Sequence, residues 1–387
     1  MAEVIKRGFF LKNIVTDFIS LYNAYLKARR GKGNSQAALR FRDDAINKLY
    51  SIAEELENRT YRVGKYRQFK VYEPKERDVM TNGFPDKVIQ ESLCKNALTP
   101  CFTKSFIFDN YASQKGKGTH FGLYRLEKFL RHYFFSRKAK SEKERRLAGL
   151  APLPAEAWDY SDGYVLKADI KKFFYSLVHI TLYDKVKKQL SKLKDNDLIQ
   201  FVEWLVWQII DSTPCPGIPI GNQTSQFFAL LYLNDLDHYI KDKLGLKVYG
   251  RYMDDFYIVH ESKAELKKVL TTINDHVNKI GLTLNRKTQI FPLRHGIDFL
   301  GFRTYLTKNG KVVRRVRKHS VQNMKNKIKQ FRYLLNTGKI TIEKIWFSYV
   351  LWCGHITHGN TYKLREKIDG YFYSAFPELL SMRVRRI

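Results

Sequence analysis

Asp254 and Asp255 stand side by side within Lys247-Val248-Tyr249-Gly250-Arg251-Tyr252-Met253-Asp254-Asp255-Phe256-Tyr257-Ile258-Val259-His260, an apolar run broken at its centre by two acids. Apolar residues on both sides predict two buried strands, with the acids at the tight hairpin that joins them. Adjacent carboxylates at a hairpin tip repel each other unless a divalent cation lies between them, so the pair implies Mg²⁺. Two metal ions held by such acids, with a third acid supplied from elsewhere, drive in-line nucleotidyl transfer. The third acid is Asp169, near the end of the short apolar run Val165-Leu166-Lys167-Ala168-Asp169-Ile170. An acid at a strand end can face across a sheet to a neighbouring hairpin. Taken singly, Asp169 would serve as a helix N-cap and Asp254-Asp255 as an acidic turn. Phe174 follows Asp169 by five residues. A ring there would lie beneath an incoming sugar, exclude a 2′-hydroxyl and favour dNTPs over rNTPs, with ordinary core packing as the alternative.

The elements that must position these groups follow from periodicity and turn chemistry. Asp17 to Ala28 has near-helical apolar spacing and runs into the basic, glycine-broken Arg29-Arg30-Gly31-Lys32-Gly33. A second helix is expected over Ala37 to Glu57, an extended segment broken by Pro74 over Gln68 to Met80, and a helix over Asp86 to Leu98. Tyr164 to Ile170 reads as a short buried strand. Helices are expected over Thr181 to Asp211, Thr224 to Leu244 and Lys263 to Ile280. Two short strands flank Phe299, and Lys308-Asn309-Gly310 signals a hairpin turn. The charge run Arg137 to Arg146, with the Ala-Pro-rich residues up to Trp158, reads as a solvated, partly flexible connection. From His319 onward the pattern is helical and basic.

Length and charge bound what these elements can do. At 387 residues the chain exceeds one ordinary core, so two or three subdomains are expected. A net charge of +31 attracts polyanions and supplies the sequence-independent part of nucleic-acid binding. No apolar run approaches the roughly 18 residues of a membrane span, so no membrane partner is expected. The first residues carry no secretory pattern, and Cys94, Cys101, Cys215 and Cys353 lack paired spacing, which suits a reduced, cytoplasmic protein. Cys353, His355 and His358 form a conceivable metal set in a Trp- and Tyr-rich neighbourhood.

The order of blocks from about residue 17 to 370 resembles a reverse transcriptase. Asp169-Ile170-x-x-x-Phe174 resembles the first palm motif and Tyr252-Met253-Asp254-Asp255 the polymerase signature. Gly281-Leu282-Thr283-Leu284-Asn285-Arg286-Lys287-Thr288 resembles the later palm motif, which implies that Lys287 acts near the leaving pyrophosphate as general acid or charge stabiliser. Phe299-Leu300-Gly301-Phe302 resembles the primer grip. Pro74-Lys75-Glu76-Arg77 resembles the finger segment whose basic residues contact the triphosphate, which implies that role for Lys75 and Arg77. Two further blocks resemble the reverse transcriptases of diversity-generating retroelements. Pro219-Ile220-Gly221-Asn222-Gln223-Thr224-Ser225-Gln226 matches their IGxxxSQ pattern and implies substrate-side roles for Ile220, Gly221 and Gln226. Asn110-Tyr111-Ala112-Ser113-Gln114-Lys115-Gly116-Lys117-Gly118-Thr119-His120 resembles their glycine-lysine block and implies nucleic-acid contacts from Lys115 and Lys117. The tail Ser348-Tyr349-x-x-Trp352-x-Gly354-His355-x-x-His358 is similar as well. An aliphatic Ile220 cannot offer the hydrogen bond of an amide, and discrimination that depends on a buried polar partner should weaken. In that family this goes with poor fidelity opposite template adenine. Ser113-Gln114 and Leu230-Leu231 depart from the family pattern, and bacterial antiviral-defence reverse transcriptases share several of these blocks.

The expected fold is α+β: a right-hand polymerase with an antiparallel-sheet palm, mostly helical fingers and a helical thumb. The expected divisions are a helical RNA-binding extension at 1–60, fingers at 61–163 with the charged connection 137–157, a palm at 164–306 that includes helices in 181–211, and a thumb with basic tail at 307–387. Asp169 and Asp254 would bind two Mg²⁺ ions with Asp255 assisting, and the Ile170 carbonyl is a further expected ligand. Phe299, Leu300 and Gly301, with Arg314, Arg315 and Arg317, would hold template and primer through the backbone. The implied partners are a structured non-coding RNA template, its cDNA, dNTPs, and an accessory protein or partner polymerase. The alternatives are a defence enzyme that makes cDNA with a dedicated non-coding RNA, a non-catalytic RNA-binding scaffold, and an RNA-dependent RNA polymerase.

Overall fold

A computed structural model describes residues 14–33, 35–72 and 76–382. Lys75 lies outside the described residues, as do the first 13 positions of the expected N-terminal extension. The strands, in chain order, are β1 (Arg67–Val71), β2 (Arg77–Thr81), β3 (Tyr164–Asp169), β4 (Tyr249–Tyr252) and β5 (Asp255–His260). They continue with β6 (Gln289–Pro292), β7 (Ile297–Phe299), β8 (Phe302–Leu306) and β9 (Val312–Val316). Among the described residues they make the hairpin β1-β2, a four-stranded sheet of order β4-β5-β3-β6, and the meander β7-β8-β9. The helices and antiparallel sheets are the α+β fold expected. The apolar runs around Asp254-Asp255 form β4, at the edge of the sheet, and β5, inside it, and both are buried almost throughout.

The chain divides into two compact units. The first comprises Met1–Lys117, Ala168–Phe256 and Lys268–Thr288. Its N-terminal helix Phe18–Arg29 starts where the Asp17 carboxylate accepts from the Ser20 amide at 3.0 Å. The helix expected over Ala37 to Glu57 is two, Gln36–Arg42 and Ala45–Glu57, parted at Asp43-Asp44. Tyr25, Phe41 and Phe84 pack ring against ring at centroid distances of 5.1–6.1 Å and hold this end together. Helix Gln223–Tyr232 is buried from Phe227 to Tyr232 and forms the unit's apolar axis.

The second unit comprises Gly118–Lys167, Tyr257–Lys267 and Gln289–Ile387. The charge run at 137–146 is not a flexible connection: it belongs to a 29-residue helix, Thr119–Leu147. Helical spacing pairs Lys138 with Glu142 at 3.5 Å. The same Lys138 ammonium sits 3.4 Å over the Trp158 ring, fastening the Ala-Pro segment to that helix. Three helices, Lys318–Asn336, Ile342–Ile356 and Tyr362–Ala375, enclose a core of Ile328, Phe331, Ile345, Tyr349, Ile368 and Phe372. Tyr349 stacks on Phe372 at 3.7 Å and donates its hydroxyl to the buried Asp369. No helix among the described residues is long and apolar enough to cross a membrane.

The turn between β8 and β9 shows how tightly this unit closes. Gly310 has φ +79°, and a Cβ placed there would lie 2.8 Å from ring atoms of Phe134. Gly310→Ala therefore adds left-handed strain and an overlap with a buried ring, for a loss of about 1–3 kcal/mol. Chemical denaturation should show the lower midpoint.

Candidate active site

Asp169 ends β3, and its surroundings come from the segment before Lys287. The Asn285 amide nitrogen donates to the Asp169 Oδ2 at 2.9 Å, and the Asn285 backbone N–H donates to the Asp169 carbonyl at 2.7 Å. Asn285 Oδ1 in turn accepts the Lys287 N–H at 3.1 Å. One amide side chain thus ties the first predicted acid to the loop of the predicted lysine, whose own side chain is exposed. Ile170 and Leu284 form an antiparallel bridge in which the bonds are made by the flanking residues, Lys171 N–H to Thr283 and Asn285 N–H to Asp169. In such a pair the carbonyl of Ile170 points away from Leu284, toward the other side of its strand.

Asp254 is the second residue of the two-residue turn Met253-Asp254 between β4 and β5, and Asp255 opens β5. Met253 has φ +56°, and left-handed backbone is what a two-residue hairpin turn requires there. Both carboxylates are half-buried. Behind them lies Arg251, wholly enclosed, with Nε and Nη2 donating to the two oxygens of Asp237 at 2.7 and 2.5 Å. Its Nη1 donates to the Met253 carbonyl at 2.8 Å. Burial opposes the Arg251 charge, but Asp237 and Tyr249 more than offset it and raise its pKa. Burial and then the Asp237 charge push the Tyr249 phenol well up, so it stays protonated and donates to Asp237 at 2.5 Å.

Several of the residues expected on the substrate side are brought near one another through main-chain contacts. Phe174 is half-buried in a short turn, Phe173–Tyr175, and its carbonyl accepts the Ile218 N–H at 2.8 Å. That bond brings the loop of Ile220 and Gly221 beside Phe174. A Cβ on Gly221 would lie 2.5 Å from the Met80 carbonyl, so only glycine lets β2 approach so closely. Tyr175 donates its hydroxyl to the Asp78 carbonyl at 2.5 Å, next to the exposed Arg77. Gln226 Oε1 accepts from the Ser113 hydroxyl at 3.1 Å.

Several nucleic-acid assignments change. The Lys117 ammonium donates to the carbonyls of Phe108 and Asn110 at 2.9 and 3.1 Å, so it builds its own loop while Lys115 faces solvent. Phe299 is a core residue, fully buried with its ring edge-on to Tyr257 at 5.0 Å. The Leu300-Gly301 turn has positive φ at both residues, +49° and +90°, as a two-residue hairpin demands. Arg314 turns inward, donating to the His358 and Leu123 carbonyls and pairing with Glu127 at 3.1 Å. Its neighbour Arg315 is exposed beside the Tyr305 ring, and Arg317 lies 4.0 Å from Asp298. His358 stacks on His120 at 3.6 Å. Cys353, His355 and His358 form no metal set: among the described residues no group of three or more His, Cys, Asp or Glu is arranged to hold an ion.

That last finding also bears on the acids. The protein by itself does not close a three-carboxylate cage. The donors present are nevertheless hard oxygens, carboxylates and an outward-turned carbonyl, and Mg²⁺ is ordinarily held by one or two carboxylates with substrate phosphates and water completing its shell. The residues fit such an ion when substrate supplies the remaining ligands.

The reverse transcriptase (RNA-dependent DNA polymerase) family model matches residues 85–304. This is more than half of the chain, and the chain belongs to that family. Solved structures to which it is similar include apo telomerase from Candida tropicalis, at 15% identity and TM-score 0.43, covering 70% of this chain and 53% of that one. Telomerase from Candida albicans in complex with the TWJ fragment of telomeric RNA gives 11% and 0.45, covering 71% and 52%. Candida tropicalis telomerase truncated from its C-terminal domain gives 13% and 0.44, covering 69% and 60%. The chain thus spans between half and three fifths of the length of those structures. No curated protein matches it.

Neither Asn285 nor Arg251 was singled out from the sequence. The available signals were a cation inside an otherwise apolar strand at Arg251 and, for Asn285, its place two residues before Lys287 in the block Gly281 to Thr288. Asn285→Leu removes the amide that holds the Asp169 carboxylate. Apparent Mg²⁺ affinity, read from the metal dependence of primer extension, should fall about 10- to 100-fold, while circular dichroism stays that of the parent.

Proposed function

We propose that this chain is an RNA-directed DNA polymerase that extends a primer 3′-hydroxyl onto the α-phosphate of a dNTP, copying RNA into cDNA. The observation that supports it most is the Asn285 link between Asp169 and the Lys287 loop, in the same unit as the Asp254-Asp255 turn. Asp169, Asp254 and the Ile170 carbonyl would hold two Mg²⁺ ions, with Asp255 assisting. Bound there, the metal supplies Lewis acidity for the attacking and leaving oxygens. The chain's own residues supply the rest. Arg77, with Lys75, neutralises the triphosphate through charge-assisted hydrogen bonds. Phe174 floors the sugar, and Ile220 and Gly221 form the adjoining wall. Gln226 holds the finger loop through Ser113. Lys287 gives a proton to the departing pyrophosphate. Lys115 in the first unit and Arg315 in the second are exposed cations offered to the nucleic-acid backbone, with Arg317 two residues beyond Arg315 and the Leu300-Gly301 turn against the primer.

The finer reading is a low-fidelity enzyme of the diversity-generating type, working in the cytoplasm on a structured RNA with an accessory protein or partner polymerase. What supports it is the aliphatic Ile220 at a position that Gly221 holds against β2. Within the chain we assign 1–60 to RNA binding, 61–163 to fingers, 164–306 to palm and 307–387 to thumb.

Primer extension on an RNA template tests the reaction. Asp254→Ala should lower it by a factor on the order of 10³ or more, as loss of a reacting-centre residue does. Equal extension by the parent and this variant would defeat the enzyme reading. Phe174→Ala should narrow the preference for dNTPs over rNTPs, and a parent without that preference would remove the steric role. Sequencing of cDNA copied from co-purified RNA then separates the biological roles: errors at template adenines support diversification, whereas short repeats or homopolymers overturn it in favour of defence.

A further inference from the structure

Arg251 is the bulkiest fully buried side chain among the described residues, and the reaction outlined above gives it no part. It sits on β4, two residues before the left-handed Met253 and three before Asp254. Asp237, also 0% exposed, grips the guanidinium with both oxygens and accepts the Tyr249 hydroxyl as well. The remaining donors reach the Leu230 carbonyl at 3.2 Å and the Met253 carbonyl at 2.8 Å. The Arg251 main chain is equally fixed, its N–H bonded to the Asp109 carbonyl and its carbonyl to the Tyr111 N–H at 3.0 and 2.9 Å.

Such a buried pair is a poor source of stability, because desolvation of both charges offsets most of their attraction. Its geometry is another matter. A guanidinium is planar, so two bonds to one carboxylate fix the direction of every other N–H it carries. The N–H at Nη1 therefore arrives at the Met253 carbonyl along one line. That carbonyl belongs to the peptide joining Met253 to Asp254, and the tilt of this peptide sets where the Asp254 side chain starts.

We infer that Arg251, held in its plane by Asp237 and Tyr249, is a positioning residue that fixes the Met253-Asp254 peptide and thereby aims the two carboxylates of the turn. The inference rests on the reading of Asp254 and Asp255 as acids of the reacting centre.

The test removes the charges together rather than singly. Arg251→Met alone leaves Asp237 buried and unpaired, so it should lose stability. The triple variant Tyr249→Phe/Asp237→Leu/Arg251→Met leaves no orphaned charge and should regain most of that stability in denaturant titration. If Arg251 positions the turn, the triple variant stays at least about tenfold low in kcat with its dNTP KM within about threefold of the parent, as small misplacements of a reacting group produce. Amide exchange over residues 252–256 should likewise run about tenfold faster than in the parent, with other amides of the unit unchanged. A triple variant with the kcat and turn exchange of the parent would overturn the inference and leave the pair merely structural. Should the triple variant not fold, Arg251→Lys keeps the charge but loses the fork, and it must show the same faster turn exchange. A parent that extends no primer defeats the polymerase reading, whereas the exchange measurement still decides this one.

Discussion

Two opposite charges cut off from water sit directly behind the acidic turn, and the arrangement of the first unit follows from satisfying them. A buried arginine without a partner would be intolerable, and so would Asp237 alone. Each donor and acceptor therefore dictates a neighbour. Asp237 must come from the short helix Asn234–His238, Leu230 in the last turn of its helix must turn a carbonyl inward, and Tyr249 must keep its proton. Residues Asp109 to Tyr111 must run alongside β4 to complete the backbone pairing. What the network contributes is a single permitted arrangement of four segments around the turn, which apolar packing of the same volume would leave adjustable.

The region around Phe174, Ile220 and Gly221, expected to receive substrate, is built differently, largely through main-chain carbonyls. Tyr175 donates to the Asp78 carbonyl, Ile218 donates to the Phe174 carbonyl, and Gly221 admits the Met80 carbonyl. Backbone contacts hold their geometry whatever side chain stands at the neighbouring position. Phe174 and Ile220 are thereby left free to differ in size and polarity without disturbing the wall they line.

This division explains what was legible in the sequence. The hairpin at Asp254-Asp255, the strand ending at Asp169 and the turn at Lys308-Asn309-Gly310 each depend on a local pattern of apolar runs and turn formers, and each formed as read. The partners of buried charges depend on residues far away in sequence. Arg251 finds Asp237 14 positions earlier, and Asn285 finds Asp169 116 positions earlier. Periodicity carries no record of such pairings. The same blindness misplaced Phe299, whose motif suggests a contact surface while its ring lies against Tyr257 in the core. It also misread the charges at 137–146, where Glu142 and the Trp158 ring convert an apparent linker into helix.

The net charge of +31 invites the view that every cation faces a polyanion, and the second unit shows why that is too simple. Arg314 is spent on two carbonyls and Glu127, and burial lowers its pKa against the pull of that carboxylate. His355 stands against Gly301 of the β7-β8 turn, where a Cβ would meet its Nε2 at 3.0 Å. Burial first, then His120 and His358, hold His355 below the ordinary imidazole value, so it is neutral at pH 7. The turn expected to face the primer is thus backed by an uncharged ring. Under the proposed function, attraction for phosphate near this turn would come instead from cations such as Arg315, which lies exposed beside the Tyr305 ring.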